Sequence, residues 1–465
     1  MEKMKKLLAL VIMVCLVMTL VIGCGPEETE GTNEQDEAGE PAGSSDGGET
    51  ADETEVKIDV PDDGTELVIY SWNEEFKGMM ENYYLKDNPL PSGVEISWVI
   101  NPSEGGQYQE KLDMALDGKE PIDIFLLEAD YAKKYVNTDN TLPLTKVGIS
   151  EDMMKDQYPY TIDVVRDSNG VPKGSSWQAT PGLFMYRYSL AEKYLGVKEP
   201  DDVQNLVKDW DTFVNTARTV KDKSGGKTKF IPSVNDIWQV IRTVRKSPWV
   251  VDNKLVIDDQ VGWFMDLAKT LTQEDLTAKY LPWSQEWNAG VGNDTVMGYF
   301  FSTWGIQWTM ISNCGGEKPG EGTYGDWRAV KGPQPYYWGG TWLAVSPQCD
   351  NGSLVNDIIK YFTINKDTMK EYCLGSKDYV NNQPAIQEII DSGYSFDFLG
   401  GQNHYALFQE VAPLIDTSAM SGYDQKINDL LMEQVTKYAE GQISKDQALE
   451  DFKKAVLNAF PELSE

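Results

Sequence analysis

Tryptophan carries the chemistry this chain offers in quantity. There are 14, beside 23 tyrosines and 14 phenylalanines. Trp72-Asn73, Trp177-Gln178, Trp283 with Trp287, Trp304 with Trp308, and Trp338-Gly339-Gly340-Thr341-Trp342 fall in or near predicted loops. An indole covers the apolar C–H face of a sugar ring, while Asn, Gln, Asp and Glu donate to and accept from the hydroxyls around its edge. Trp72 and Trp338, at strand ends, are placed to stack on such a ring. Trp304 and Trp308, spaced i, i+4, either stack on a ligand or form one buried helical stripe. Trp98, Trp210, Trp238 and Trp263 lie on the faces of predicted elements and read as core.

Bond-making chemistry has little raw material. His404 is the single histidine, which removes histidine triads, multi-histidine zinc sites and haem held by paired histidines. Ser224-Gly225-Gly226-Lys227-Thr228 looks like the end of a phosphate loop, but Lys221 stands where the first glycine is required, so it reads as a surface turn. The sequence holds neither G-x-S-x-G nor H-E-x-x-H. Asp139-Asn140 and Asp167-Ser168-Asn169-Gly170 do not continue into a calcium loop ending in Glu. Glycoside hydrolysis needs only two carboxylates, and with 74 acidic residues a surface glycosidase stays open as an alternative. A net charge of -33 argues against nucleic acid and anionic lipid as partners. No cofactor and no metal is expected.

The elements that must hold these residues alternate. Leu67–Tyr70 predicts a strand and Glu75–Leu85 a helix; Val94–Ile100 and Tyr108–Leu116 repeat the pair, as do Ile122–Leu127 and Ala129–Val136. That alternation predicts a parallel α/β sheet, with ligands beyond the carboxyl ends of its strands. A second α/β set begins with a strand over Leu183–Tyr188. Asp209 predicts an N-cap for a helix whose Trp210, Phe213, Val214 and Ala217 share one face. Further strands are predicted over Thr295–Phe301 and Thr341–Val345, and helices dominate from Val355 onward. Ser444-Lys445-Asp446-Gln447 reads as a capping box.

The chain begins differently. Lys3, Lys5 and Lys6 precede an apolar run over Leu7–Ile22, which ends in Val21-Ile22-Gly23-Cys24. This is a secretory signal, and it resembles a lipoprotein signal whose Cys24 receives a diacylglyceryl group after cleavage. Gly25 to Gly64 is rich in Glu, Asp, Gly, Ser and Thr and lacks aromatics, the composition of a disordered tether with a reach of roughly 35 Å. Cys314, Cys349 and Cys373 remain, an odd set in which one disulfide and one free thiol would fit.

The order of features resembles extracellular solute-binding proteins of ABC sugar importers, the carbohydrate-binding family that includes maltose-binding proteins. The resemblance is carried by the lipobox, by Glu66-Leu67-Val68-Ile69-Tyr70-Ser71-Trp72, by Pro121-Ile122-Asp123-Ile124-Phe125, by Asn140-Thr141-Leu142-Pro143-Leu144, by Gly292 to Trp304, and by Gly332-Pro333 through Gly339-Gly340-Thr341-Trp342-Leu343-Ala344-Val345. It covers the chain after Gly64. It implies a two-lobed, type II periplasmic-binding-protein-like α/β fold with hinge crossings and a ligand cleft between the lobes. The implied pieces are signal 1–23, lipidated tether 24–64, lobe 1 over 65–176 and 345–397, and lobe 2 over 177–344 and 398–465. It also implies a monomer without enzymatic activity, held outside the bacterial membrane by Cys24, that binds a neutral oligosaccharide and passes it to permease subunits. The ligand-binding residues expected are Trp72, Asn73, Glu74, Glu128, Asp130, Trp177, Trp304, Trp308, Trp338, Gly340 and Asn403. One departure is Tyr186-Arg187, where many relatives have Tyr-Asn. The same scaffold binding a peptide or another solute is the alternative reading.

Overall fold

The computed structural model describes residues 56–464. The proposed signal, lipid site and most of the tether lie outside them, but residues 56–64, expected in the tether, are fastened to the folded body, Ile58 bridging to Val147 and Asp62 to Asn351. Ten strands occur among the described residues: β1 Glu66–Ser71, β2 Glu95–Ile100, β3 Ile124–Glu128, β4 Ser175–Ser176, β5 Gly182–Arg187, β6 Val250–Val251, β7 Lys254–Leu255, β8 Gly298–Ser302, β9 Trp327–Val330 and β10 Thr341–Val345. The larger sheet runs β2-β1-β3-β10-β4, a smaller one runs β8-β5-β9, and β6-β7 is a short hairpin.

β1, β2 and β3 are parallel, as the strand–helix alternation predicts, but β10 and β4 join antiparallel and the smaller sheet is antiparallel throughout. The sequence signal for parallel pairing was the helix between successive strands. It does not extend to β10, which enters from the smaller sheet. β3 (Ile-Phe-Leu-Leu-Glu) is buried along its apolar length, as a strand covered on both faces must be. Asp123 precedes it and is itself buried. Its Oδ2 accepts the Val68 N–H at 2.8 Å and its Oδ1 the Asn351 side-chain N–H at 3.1 Å. The carboxylate thus pins β1 to a distant loop, which gives the Pro-Ile-Asp signature a structural cause.

Behind the smaller sheet sits a phenylalanine cluster of Phe184, Phe213, Phe230 and Phe300, with ring centroids 4.7–5.5 Å apart. Phe213 comes from the helix Trp210–Ser224, started by a reciprocal capping box between Asp209 and Thr212. At its other end Gly225 and Gly226 close the helix with positive φ, so the phosphate-loop look-alike is a helix C-cap. Ser444 caps the last helix by accepting the Gln447 N–H. Trp263, expected in the core, is 40% exposed and touches Trp210 edge-on.

Three segments cross side by side between the sheets. Residues 177–181 link β4 to β5, residues 337–340 lead into β10, and residues 378–381 run beside the first. Ala179 N donates to Tyr379 O, Asn381 N to Trp177 O, and Trp338 N to Thr180 O, at 2.9–3.1 Å. β10 belongs whole to the larger sheet, so a division of the chain at 344 cuts through a strand. Its register sets Thr341 opposite Glu128, which brings the Gly339-Gly340 turn against the end of β3. Cys314, Cys349 and Cys373 are buried free thiols, so the disulfide that the odd count left open does not form among them.

Candidate functional site

The carboxyl ends of β1 and β3, the loop after β2, the crossings and the end of β8 open onto one cleft of about 1110 Å³. That volume lies just above the usual range for small-molecule sites and leaves room for several rings. Trp72, Asn73 and Glu74 follow β1, Glu128 ends β3, and Trp304 follows β8. Trp308, Trp338 and Gly340 complete the set of expected residues that the fold brings together.

The aromatic wall is built ring on ring. Trp304 donates its indole N–H to Trp338 O at 2.8 Å, and the two rings meet edge to face. Trp283 lies nearly parallel to Trp304, with centroids 5.6 Å apart. Gly339 (φ +74) allows this closeness, because a Cβ there would come within 3.1 Å of the Trp304 indole nitrogen. On the opposite wall Trp72 stands edge-on against Tyr108 at 5.5 Å. Trp308 is 56% exposed, so Trp304 and Trp308 are not a buried stripe.

Three expected residues lie elsewhere. Trp177 is 1% exposed and stacks on Phe76 at 5.4 Å, since the crossing turns its ring into the core beneath the first helix. Asp130 faces away from the cleft and pairs with Arg242 at 2.9 Å, beside a cavity of about 10 Å³ that holds one water at most. Asn403 caps the helix His404–Val411 by accepting the Ala406 N–H, and it does not line the cleft. His404 is buried, and burial holds its pKa down near 3. Arg187 is structural, held by Asp326 at 2.7 Å and Asp294 at 3.2 Å.

Other lining residues were missed. Trp283 was visible as a loop tryptophan but not selected; its left-handed backbone (φ +70), unusual for a bulky residue, is what turns the ring outward. Asn82 and Tyr83 come from the π-helical segment Met80–Tyr84, and Gln307 and Trp308 from a second, Ile306–Ile311. Such segments recur at functional sites, and no sequence period announces them.

Two carboxyl groups give the cleft its electrostatics. Glu75 is pushed up to about 8 by burial and then by the nearby charge of Asp378. Its Oε1 is sealed from solvent without a hydrogen-bond partner among the described residues. Glu128 is likewise pushed up to about 8, by burial and then by Asp130. Its Oε2 accepts the Asp130 N–H at 2.8 Å, which caps the helix Ala129–Val136. Asp378 lies buried behind the cleft lining, accepting from Gln178 of the first crossing at 2.6 Å and from Thr303 at the end of β8. Among the described residues, no group of His, Cys, Asp and Glu could hold a metal ion.

Residues 88–391, well over half of the chain, match the family described as bacterial extracellular solute-binding protein. The chain belongs to this family. Solved structures agree on the fold. An extracellular solute-binding protein of family 1 superposes with a TM-score of 0.72 at 18% identity, covering 84% of this chain and 99% of that one. The galacto-N-biose/lacto-N-biose I-binding protein of an ABC transporter from Bifidobacterium longum, in complex with lacto-N-biose, gives 0.68 at 14% identity over 87% and 100%. The ABC transporter associated binding protein from B. animalis subsp. lactis, in complex with β-1,6-galactobiose, gives 0.66 at 17% identity over 86% and 98%. No curated protein matches the sequence. This solute-binding protein therefore has the two-lobed α/β fold, with its cleft between the lobes, and its family binds solutes rather than transforming them. Among its described residues no helix is long and apolar enough to cross a membrane.

Proposed function

We propose that this solute-binding protein takes an oligosaccharide between its lobes and delivers it to the permease of an ABC importer. The observation that carries the reading is the convergence of Trp72, Trp283, Trp304, Trp308 and Trp338 on one cleft, with Asn and Gln side chains between them. Indole faces cover sugar rings and the amides meet the hydroxyls. The structural relatives in complex with lacto-N-biose and β-1,6-galactobiose support the choice of ligand class. A peptide is disfavoured, because no Lys, Arg or His lines the cleft to hold a terminal carboxylate.

In this reading lobe 1 spans 65–176 with 345–397, and lobe 2 spans 177–344 with 398–465, the ends adjusted so that β10 stays in lobe 1. The lobes close by rotation about the three crossings. Cys24 carries the lipid, and the residues after it form the tether up to about residue 55, beyond which Asp59 N donates to Lys146 O and Gly64 N to Asp350 O. The protein works as a monomer on the outer face of the membrane.

Isothermal titration calorimetry of the purified protein against a panel of oligosaccharides, with amino acids and peptides alongside, tests the proposal. One-site binding with the sugar recovered intact supports it. Heat from peptides alone, or continuing heat from sugar turnover, overturns it.

A further inference from the structure

Four glutamates line the cleft, Glu74, Glu75, Glu104 and Glu128, and no Lys, Arg or His is among the lining residues. Lys77 pairs with Glu74 at 3.1 Å and Lys86 sits over the Tyr83 ring at 5.7 Å, which leaves Glu75 and Glu128 among the lining carboxyls without a lining cation. On the opposite side Arg242 is engaged by Asp130 behind Glu128. The remaining wall is aromatic, and an indole face attracts cations, quaternary ammonium groups most of all. A hydroxyl-only ligand would use the tryptophans and hydrogen-bond the carboxyls in their protonated form, whereas a cation gains further from their ionised form, and no protein cation among the lining residues competes for it.

We infer that the solute held here is cationic: an oligosaccharide bearing amino groups, set between the tryptophan faces and the Glu75 and Glu128 carboxyls. The inference rests on the oligosaccharide reading for the body of the ligand, and it replaces the expectation of a neutral sugar.

The two carboxyls also give binding a pH dependence. Glu75 is faced by Asp378 from the third crossing, by Tyr372 from the helix Lys366–Ser376, and by Asn73. Glu128 is faced by Asp130, Tyr131 and, from the other lobe, Arg242. Both carboxyls are held near 8, so at pH 6 each carries a proton that an incoming cation must displace. A ligand with permanent charge therefore binds more tightly as pH rises to about 8 and releases protons on the way.

The test is calorimetry of the full protein with three glucosamine oligomers of one length: N-acetylated, free amine and N-trimethylated. Spermidine and an unsubstituted glucose oligomer serve as further probes. The expected result is that the amine and trimethyl forms bind at least about tenfold more tightly than the acetylated form, about 1.4 kcal/mol. The trimethyl form gains affinity between pH 6 and 8, with a buffer-dependent heat of proton release. Glu75→Gln and Glu128→Gln each reduce that gain, circular dichroism confirming that the variants are folded. The acetylated or glucose oligomer binding as tightly as the cationic ones overturns the inference and leaves the oligosaccharide reading standing. Spermidine binding with every sugar silent, the amine forms included, overturns the inference and the oligosaccharide reading together. Silence from every cationic probe overturns the inference whatever the neutral sugars do.

Discussion

Trp283 lies almost parallel to Trp304, ring centroids 5.6 Å apart and planes inclined by 27°, and it reaches that position from a left-handed backbone with φ +70. A bulky residue pays about 1–3 kcal/mol for such a conformation, and 57% of the residue remains exposed. Packing does not account for the arrangement; presenting a ring to the cleft does.

Trp283→Gly separates the two roles. Glycine adopts positive φ freely, so stability should hold or rise by up to about 1 kcal/mol, while affinity for the sugar ligand falls about tenfold or more. Urea unfolding beside calorimetry checks both. A lower urea midpoint would mean the ring is part of the core.

Trp177→Ala and Trp308→Ala should differ in the opposite sense. Trp177 is enclosed and stacked on Phe76, and its truncation should cost about 3–5 kcal/mol. Trp308, exposed at the cleft, should lose less than about 0.5 kcal/mol of stability but weaken ligand binding. Equal losses of stability would sink the assignment of Trp308 to the cleft.

Stability should fall as pH rises from about 5 to 8. Glu75 and Glu128 are held near 8 in the fold, against about 4.3 in an unfolded chain. Over that interval the folded state binds more protons than the unfolded one, so the slope of unfolding free energy against pH is negative for these groups. Glu75→Gln cannot ionise and should flatten the curve. Urea midpoints measured at half-unit steps give the comparison, and identical slopes would show that Glu75 is ionised in the fold.

Cys314, Cys349 and Cys373 should resist thiol reagents in the native protein and react after denaturation. Burial raises all three thiols, Cys373 to about 12, so little thiolate is present near neutral pH. Peptide-level mass spectrometry after alkylation, with and without guanidinium, distinguishes the three sites. Rapid native labelling of any one would contradict its burial.

The frame was legible because local signals agree with it. The apolar run of β3 and the Asp209 cap each say the same thing locally and globally. The site was legible mainly where loops border predicted strands, as Trp72, Asn73 and Glu74 follow β1, Trp304 follows β8, and Trp338 and Gly340 precede β10. Asp130 and Trp177 sit one or two residues from genuine lining groups, and nothing along the chain tells which way a side chain turns after a strand ends. Asp130 turned toward Arg242, more than a hundred residues away, and Trp177 toward Phe76. Trp283 escaped selection for a related reason: its presentation depends on a backbone angle that residue type alone argues against. The antiparallel entry of β10 was equally hidden, since a strand reads the same in either direction.

The two π-helical segments, Met80–Tyr84 and Ile306–Ile311, give the cleft an unusual handle for engineering. A π turn is an α-helix carrying one surplus residue. Deleting a single residue from either segment would restore the regular helix, leave the turns beyond it in register, and shift the residues inside the segment by up to about 100° around the axis. Tyr83 or Trp308 would then leave the cavity without any change to the sheets. Insertions and deletions of one residue, usually the most damaging edits to a helix, are at these two places a route to new ligand preference.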